Sequence, residues 1–454
     1  GGWLRVAGTL EVQDGARLQF QNDGAARDLT LESGAQVIGS GTLRFYGSNR
    51  LIVNDRIAMP LQLQPFDSSI VSGSGVLRFL GNQTVFGNYA IPLEFPAGAV
   101  ANVLNTHWGS SVLIEAGAVV AMNPNSAYTL TLDGSLTNRG ILRQVANYYT
   151  SAFTGTGKIV NEGVMDFSVG VGGNNGAEAS IALSIDVAAT GRFELPAGGY
   201  ARFVDGGWLR VAGTLEVQDG ARLRFQNDGA ARDLTLQAGA ILDGAGTTQI
   251  EGANRLVLAG DATLRNGLLR LIDSSTVAGT GQLTVGSGAT LLLDHNVTLP
   301  GALDVFGTLT LANSGVTLRV AGLLTLESGG TLNNPGTVRV SSFAGLGGII
   351  VGNPPIIAPL AAVRMTSIRV DPASAGVGSS NITPLAGRKL NLTWTSNPGL
   401  HYSVERSSDF RNWVGTPAAI HELTPGHFEA VLTSAGGDHS YYRVRLETPA
   451  QTSP

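Results

Sequence analysis

The sequence predicts an all-β protein, a parallel β-solenoid followed by a small β-sandwich. Apolar and polar residues alternate over short segments such as Thr9-Leu10-Glu11-Val12, which is the period-two pattern of a strand. Glycine-containing pairs such as Asp14-Gly15 bound these segments and favour tight turns. A long segment of the chain is also duplicated, which is typical of architectures built from stacked repeats.

The bulk composition fits a stack of short strands. The 454 residues exceed one ordinary compact core, and they include 62 glycines, 43% hydrophobic residues and only 14% charged residues. Such a chain is too apolar to be disordered and too rich in glycine to be helical. The net charge of −5 contains no block of like charge, so neither nucleic acid nor an anionic membrane is an expected partner. The absence of cysteine excludes disulfides, thiolate metal sites and cysteine nucleophiles.

The duplication covers residues 1–53 and 206–258. Residues 1–31 recur at 206–236 with a single early change, Gln19 to Arg224, followed by divergence between the copies. Outward polar positions are copied as faithfully as inward apolar positions, which packing alone would not require. We interpret this as a recent duplication rather than as a shared function.

A shorter period lies inside the first copy, where three sets of apolar anchors recur every 32 to 34 residues. They are Leu10, Leu43 and Leu77; Leu18, Leu51 and Val85; and Leu29, Leu61 and Leu93. Three short strands per period favour a three-sided coil in which each strand pairs in parallel with its equivalent one coil later, in the usual right-handed sense. We therefore predict coils of about 33 residues; an ordinary pair of all-β domains is the alternative.

The sequence pattern of the predicted coils is similar to that of a known family. The segments GTLEVQDGARL, VLIEAGAVV and LTLESGGTLNNPGTVRV resemble the passenger and filamentous-haemagglutinin-type β-helices of secreted bacterial proteins. The resemblance implies an extracellular or cell-surface protein, in a group that contains adhesins, structural filaments and some polysaccharide-degrading enzymes. It covers about residues 1–345 and implies no particular site.

The sequence predicts a domain change after residue 350. Residues 1–350 are the predicted solenoid, 351–363 a linker and 364–454 the sandwich. Alternating segments begin at Lys389, Tyr402, Phe428 and Tyr441. Trp394 on an early strand and Tyr442 on a late one resemble the core pair of a fibronectin type III-like module. The run Ala344–Val363 carries no charge, but its prolines argue against a membrane-spanning helix.

We find no motif that predicts a catalytic, cofactor-binding or metal-binding residue. Alignment by the 33-residue period places Glu11, Arg44 and Arg78 in one outward column, which we interpret as a charge-balanced stripe rather than an acid–base pair. His421, Glu422 and His427 flank a turn and lack the spacing of a helical zinc motif.

Two other features are interpreted as structural. Gly155-Thr-Gly-Lys158 lacks the residues of a phosphate-binding loop and is predicted to be a turn between strands. Trp413 could stack on a sugar, but a core or rim aromatic is the favoured reading.

The preferred function is an extracellular structural or adhesive protein without catalysis, a head-to-tail filament subunit whose partner is another copy of itself or a cell-surface or polysaccharide ligand. The alternative is a polysaccharide-binding or polysaccharide-cleaving β-helix. Residues 1–5 match residues 206–210, which follow a complete coil, so we expect either more chain or another subunit beneath the first coil.

Overall fold

The computed structural model describes most of the chain. Its account leaves out residues 1–2, 22–23, 123–128, 147–150, 170–177, 227–228, 230, 358–363, 371–388, 396–401, 408–413, 417–418, 425–426, 434–440 and 447–454. Every regular element in the described residues is a β-strand.

The first 44 strands form one continuous stack. Their bounds are β1 (Leu4–Val6), β2 (Thr9–Val12), β3 (Arg17–Phe20), β4 (Asp28–Leu31), β5 (Gln36–Gly39), β6 (Thr42–Phe45), β7 (Arg50–Val53), β8 (Arg56–Met59), β9 (Gln62–Pro65), β10 (Ile70–Ser72), β11 (Val76–Phe79), β12 (Asn82–Tyr89), β13 (Leu93–Phe95), β14 (Val100–Trp108), β15 (Val112–Ile114), β16 (Val119–Met122), β17 (Thr129–Leu132), β18 (Ser135–Asn138), β19 (Ile141–Ala146), β20 (Ser151–Thr154), β21 (Lys158–Asn161), β22 (Val164–Val169), β23 (Ala179–Ile181), β24 (Ser184–Val187), β25 (Arg192–Leu195), β26 (Tyr200–Phe203), β27 (Leu209–Val211), β28 (Thr214–Val217), β29 (Arg222–Phe225), β30 (Asp233–Leu236), β31 (Ala240–Asp243), β32 (Thr247–Glu251), β33 (Arg255–Leu258), β34 (Ala262–Ile272), β35 (Thr276–Ala278), β36 (Leu283–Leu293), β37 (Val297–Leu299), β38 (Leu303–Val305), β39 (Thr308–Leu311), β40 (Thr317–Leu326), β41 (Thr331–Asn334), β42 (Thr337–Gly345), β43 (Ile349–Gly352) and β44 (Ile356–Ile357).

These strands wind into a parallel β-solenoid of about 15 turns with three faces, as predicted. Face A starts with β1, β4 and β7; face B starts with β2, β5 and β8; face C starts with β3, β6 and β9. Long strands such as β14, β34 and β36 turn the corner from face C to face A without a break. Parallel pairing places each strand over its equivalent in the preceding turn, so the backbone groups are bonded along the axis.

The predicted coil length of 33 residues is wrong. Paired residues in successive turns lie between 16 positions apart (Leu77 and Leu93) and 28 positions apart (Phe153 and Ile181). The first anchor set therefore does not stack: Leu10 pairs with Val37 on face B, Leu43 with Leu18 and Leu63 on face C, and Leu77 with Ile57 and Leu93 on face B. The 33-residue spacing spans between one and two turns, and it reflects strands of similar length rather than a repeat.

The core is a single column of apolar side chains inside the three faces. Alternation puts every second residue inward, and inward residues such as Leu29, Leu51 and Phe203 are fully buried. Aromatic rings stack across successive turns: the ring centroids of Phe203 and Phe225 lie 4.8 Å apart and nearly parallel. The continuous column stabilises each turn through its two neighbours.

The two sequence copies fold in the same way but lie on different faces. Leu4 pairs with Leu29, and the equivalent Leu209 pairs with Leu234. Strand β1 belongs to face A, whereas its equivalent β27 belongs to face B, so the 205-residue offset covers nine turns and one further face. Equivalent outward residues therefore point in directions about a third of a turn apart. Because the two copies face different directions, the geometry favours a duplication of sequence and does not favour one binding surface shared by both copies.

A buried amide braces the same turn in both copies. Asn49 donates hydrogen bonds to the carbonyl oxygens of Phe20 and Tyr46, and Asn254 donates to those of Phe225 and Glu251. Each amide oxygen also accepts a backbone N–H, that of Arg27 or Arg232. The polar groups of this turn are therefore hydrogen-bonded internally in both copies.

The far end of the solenoid extends past the predicted boundary at residue 350. Ile356 and Ile357 pair in parallel with Arg339 and Val340. The segment predicted as a linker, 351–363, therefore begins with paired strands; its residues 358–363 lie outside the described part of the chain.

The C-terminal part contains two antiparallel sheets, consistent with the predicted small sandwich. The strands are β45 (Arg364–Val370), β46 (Lys389–Thr395), β47 (Tyr402–Ser407), β48 (Val414–Thr416), β49 (Ala419–Thr424), β50 (His427–Thr433) and β51 (Tyr441–Leu446). One sheet has the order β45-β46-β50-β49 and the other β48-β47-β51. Trp394 is buried and stacks on Phe428 at 5.7 Å between centroids. The side chain of Tyr442, its predicted partner, lies outside the described residues.

In the part of the chain that the structure describes, no helix is long and apolar enough to cross a membrane.

Candidate functional site

The predicted charged column on the outer surface does not exist. Glu11 lies beside Ile38 on face B, Arg44 lies between Gln19 and Gln64 on face C, and Arg78 lies between Ala58 and Glu94 on face B. The error follows from the wrong coil length, because a false period assigns residues of different faces to one column.

A different outward column carries several carboxylates. On face C, Asp166 pairs with Glu194, Glu194 with Glu216, and Glu216 with Asp243. Four carboxylates therefore stand in register on successive turns, about 4.8 Å apart at the backbone. We call these four residues the carboxylate row. Like charges directly opposite each other destabilise a sheet, so the row requires compensation from its neighbours.

Glu194 and Glu216 are held near each other by partners that they share. The amide nitrogen Nε2 of Gln218 donates to Oε1 of Glu194 at 2.8 Å and to Oε1 of Glu216 at 3.2 Å. The two oxygens can therefore be no more than about 6 Å apart, the sum of these distances. Arg192 forms ion pairs with both carboxylates, with its Nε 3.5 Å from Oε2 of Glu194. One amide and one guanidinium thus hold the central pair together.

The two ends of the row are neutralised separately. Arg143 Nε donates to Asp166 at 2.7 Å, and Arg265 Nη1 lies 3.0 Å from Asp243. Asp243 also accepts hydrogen bonds from the side chain of Asn266 at 2.7 Å and from the backbone N–H of Gly244 at 2.8 Å. Burial opposes ionisation of Asp243, but these three donors prevail and lower its pKa.

Glu194 behaves in the opposite way. Burial raises the pKa of Glu194, and the nearby charges of Glu216 and Asp166 raise it further, while Arg192 acts in the opposite direction. The row therefore contains one carboxyl with a raised pKa, Glu194, and one with a lowered pKa, Asp243. Two carboxyl groups a few ångströms apart, one of them with a raised pKa, can supply general acid and base to glycoside cleavage.

The raised pKa of Glu194 gives a testable dependence of stability on pH. Because the folded pKa lies above the unfolded value, ionised Glu194 destabilises the fold, and stability falls as pH rises from the unfolded pKa through the folded one. Glu194→Gln is expected to raise the melting temperature at pH 7 and to flatten its decline across that window. Glu11→Gln, an exposed carboxylate outside the row, is the control. Thermal unfolding at several pH values measures both, and equal pH profiles for the E194Q and wild-type proteins would refute the electrostatic reading.

The other residues singled out from the sequence do not assemble into a site. Gly155-Thr-Gly-Lys158 connects β20 to β21 as a turn, as predicted, and Lys158 pairs with Asp186. His421 pairs with Glu429 across two antiparallel strands, and both His421 and Glu422 are exposed. Within the described ranges, no group of three or more His, Asp or Glu side chains is placed to hold a metal ion. Trp413 lies outside those ranges.

The parallel strand pairing of the described residues defines this chain as a parallel β-solenoid protein. No protein-family model matches it, and no curated protein matches it in sequence. One similar solved structure is the TibC-catalysed hyper-glycosylated TibA fragment 55–350, at 17% identity, covering 76% of this chain and 97% of that fragment with a TM-score of 0.25. A TM-score this low carries no functional argument, and the fold rests on the strand pairing of the chain itself.

Proposed function

We propose that this chain is an extracellular structural or adhesive protein whose solenoid acts as a rod without catalysis. The observation that carries the proposal is the continuous stack of parallel strands from Leu4 to Ile357. Such a stack resists unfolding through backbone hydrogen bonds and a shared core rather than through a ligand. The resemblance of its segments to secreted bacterial β-helices supports a location outside the cell or at its surface.

Charged side chains on the outer surface of the rod form ion pairs between neighbouring turns. Arg50 pairs with Asp28, and the equivalent Arg255 pairs with Asp233, both at 2.6 Å. The carboxylate row is likewise engaged by arginines and amides. Exposed ion pairs contribute little individually, but ladders of them fix the register of neighbouring turns. This arrangement supports a scaffold function.

We further propose that the rods assemble end to end. Apolar side chains are exposed on the first and last turns that the structure describes: Trp3 and Leu4 on the first, and Ile349 and Ile357 on the last. Contact between the first turn of one copy and the last turn of another would cover both sets and extend the ladders, giving a heterologous contact that grows as a fibre.

Electron microscopy and sedimentation of the purified chain test the assembly. We expect rods whose length increases with protein concentration, and we expect Trp3→Lys and Ile357→Lys to shorten them. Ile38→Lys, at an exposed position on the side of the rod, is the control and should leave length unchanged. Rods of uniform single-chain length at every concentration would contradict the filament proposal. Protease accessibility on intact producing cells tests the location independently.

One observation favours the alternative, a polysaccharide-cleaving protein. The Glu194 and Glu216 oxygens lie within about 6 Å of each other, and Glu194 has a raised pKa. Release of reducing ends from a polysaccharide panel would be the readout. Activity that Glu194→Gln abolishes and Glu11→Gln preserves would establish the enzyme and overturn the passive rod.

A further inference from the structure

Trp208 lies on the outer surface of face B. It precedes Leu209, which is fully buried and pairs with Ile185, so the alternation of the strand directs Trp208 and Arg210 outward. Extending the register that pairs Leu209 with Ile185 by one residue places Ser184 opposite Trp208 in the preceding turn. Because serine is small, the half-buried indole can extend across it toward Lys158, one turn further down the same column.

Two cations flank the indole. The Nζ atom of Lys158 lies 5.6 Å from the ring centroid of Trp208, and the guanidinium carbon of Arg210 lies 5.1 Å from it. Both cations pair with the same carboxylate, Asp186, Arg210 at 3.8 Å. Two positive charges that share one negative charge leave the cluster with a net charge of about +1. Roughly half of each cationic side chain remains exposed, 43% for Lys158 and 48% for Arg210.

The same column continues as a track of small residues. Below Lys158 it contains Ser135 and then Ser111, and these two serines line a depression of about 400 Å³ bounded by Glu94 and Arg139. From Ser111 to Trp208 the column rises four turns, about 19 Å at the spacing of parallel strands. A linear ligand along the axis would meet the depression, then a cation, then an aromatic platform.

We propose that this column is a binding track for an acidic polysaccharide, with Trp208 stacking on one sugar ring and Lys158 and Arg210 pairing with its carboxylate. The choice of a polysaccharide as the ligand rests on the adhesive function proposed above. An indole ring offers an apolar face of the size of a pyranose and keeps little conformational entropy to lose on binding. The surplus positive charge beside it selects a uronate over a neutral sugar.

The sequence duplication supplies a matched control. Trp3 is the equivalent of Trp208 within the identical segment Gly-Gly-Trp-Leu-Arg-Val, but it is 72% exposed on the first turn. Its neighbour Arg5 is bonded to Glu32, whereas the equivalent of Glu32 in the second copy is Gln237. Arg210 instead pairs with Asp186 and contacts the indole. Within the described residues, the cation cluster therefore surrounds Trp208 and not Trp3.

Binding of polygalacturonate to the full chain, measured by titration calorimetry with dextran as the neutral comparison, tests the track. Trp208→Ala is expected to weaken polygalacturonate binding about tenfold, and Trp3→Ala, measured at a protein concentration too low for end-to-end assembly, to leave it unchanged. Asp186→Asn removes the shared carboxylate and is expected to tighten binding severalfold, a gain that misfolding cannot produce. Circular dichroism and melting temperature confirm that each variant folds.

Three results would overturn the inference: no binding of polygalacturonate by the wild-type chain, equal losses for W3A and W208A, or equal affinity for dextran. None of these results would contradict the proposed structural function, because the assembly and location of the rod are measured without any polysaccharide.

Discussion

Leu209→Ala is expected to destabilise the turns around it by about 2–5 kcal/mol, whereas Leu4→Ala, the same change in the same sequence, should cost about 1 kcal/mol or less. Leu209 is fully buried between Ile185 and Leu234, and its removal leaves a cavity inside the stack. Leu4 pairs with Leu29 and is 38% exposed. The duplication thus places one local sequence in two environments.

Hydrogen exchange of the amides in β24, β27 and β30 is the suitable measurement, because a solenoid can open locally without complete unfolding. Faster exchange in these strands of L209A, with little change in β1 and β4 of L4A, is the expected outcome. Similar effects of the two substitutions would show that the first turn is as enclosed as the interior.

Gly244→Ala is expected to cost about 3 kcal/mol or more, the second large effect. Gly244 has a φ of +89°, and an added Cβ atom would lie 2.2 Å from the carbonyl oxygen of Val217 in the turn below. Positive φ alone costs an alanine about 1–2 kcal/mol. The remainder comes from a backbone contact that cannot relax without separating two turns.

Gly239→Ala isolates the first of these two causes. Gly239 has a φ of +81°, but an added Cβ would meet no atom within 4 Å. We expect G239A to lose only the conformational part, measured by denaturant unfolding alongside G244A. A loss for G244A no larger than that for G239A would indicate that the turns are not packed at this contact.

Local features of the fold were predictable because they depend on nearest neighbours in sequence. Alternation gave the strands of the solenoid and the four C-terminal segments that appear as β46, β47, β50 and β51. The additional strands β45, β48 and β49 were not predicted, since their segments alternate poorly or are short. Coil length depends on how tightly each corner turns, and corners such as Asn105, with a φ of +28° inside β14, carry no glycine to mark them.

The carboxylate row was missed for the same reason. Asp166, Glu194, Glu216 and Asp243 are separated by 28, 22 and 27 positions, so no fixed period aligns them. Only the strand register brings them together. The Trp208 cluster joins Lys158, Asp186 and Arg210 from three different turns and is equally invisible in the linear pattern.

Engineered disulfides test the register of the turns most directly, because the chain contains no cysteine. Thr235 and Val257 are outward residues paired on successive turns of face B, at a spacing that suits a disulfide. The T235C/V257C double variant is expected to oxidise readily to an intramolecular cross-link, seen as a gel shift and by mass spectrometry. T235C/L268C, 33 positions apart and on a different face, should not. Cross-linking of the second pair in place of the first would contradict the solenoid described here.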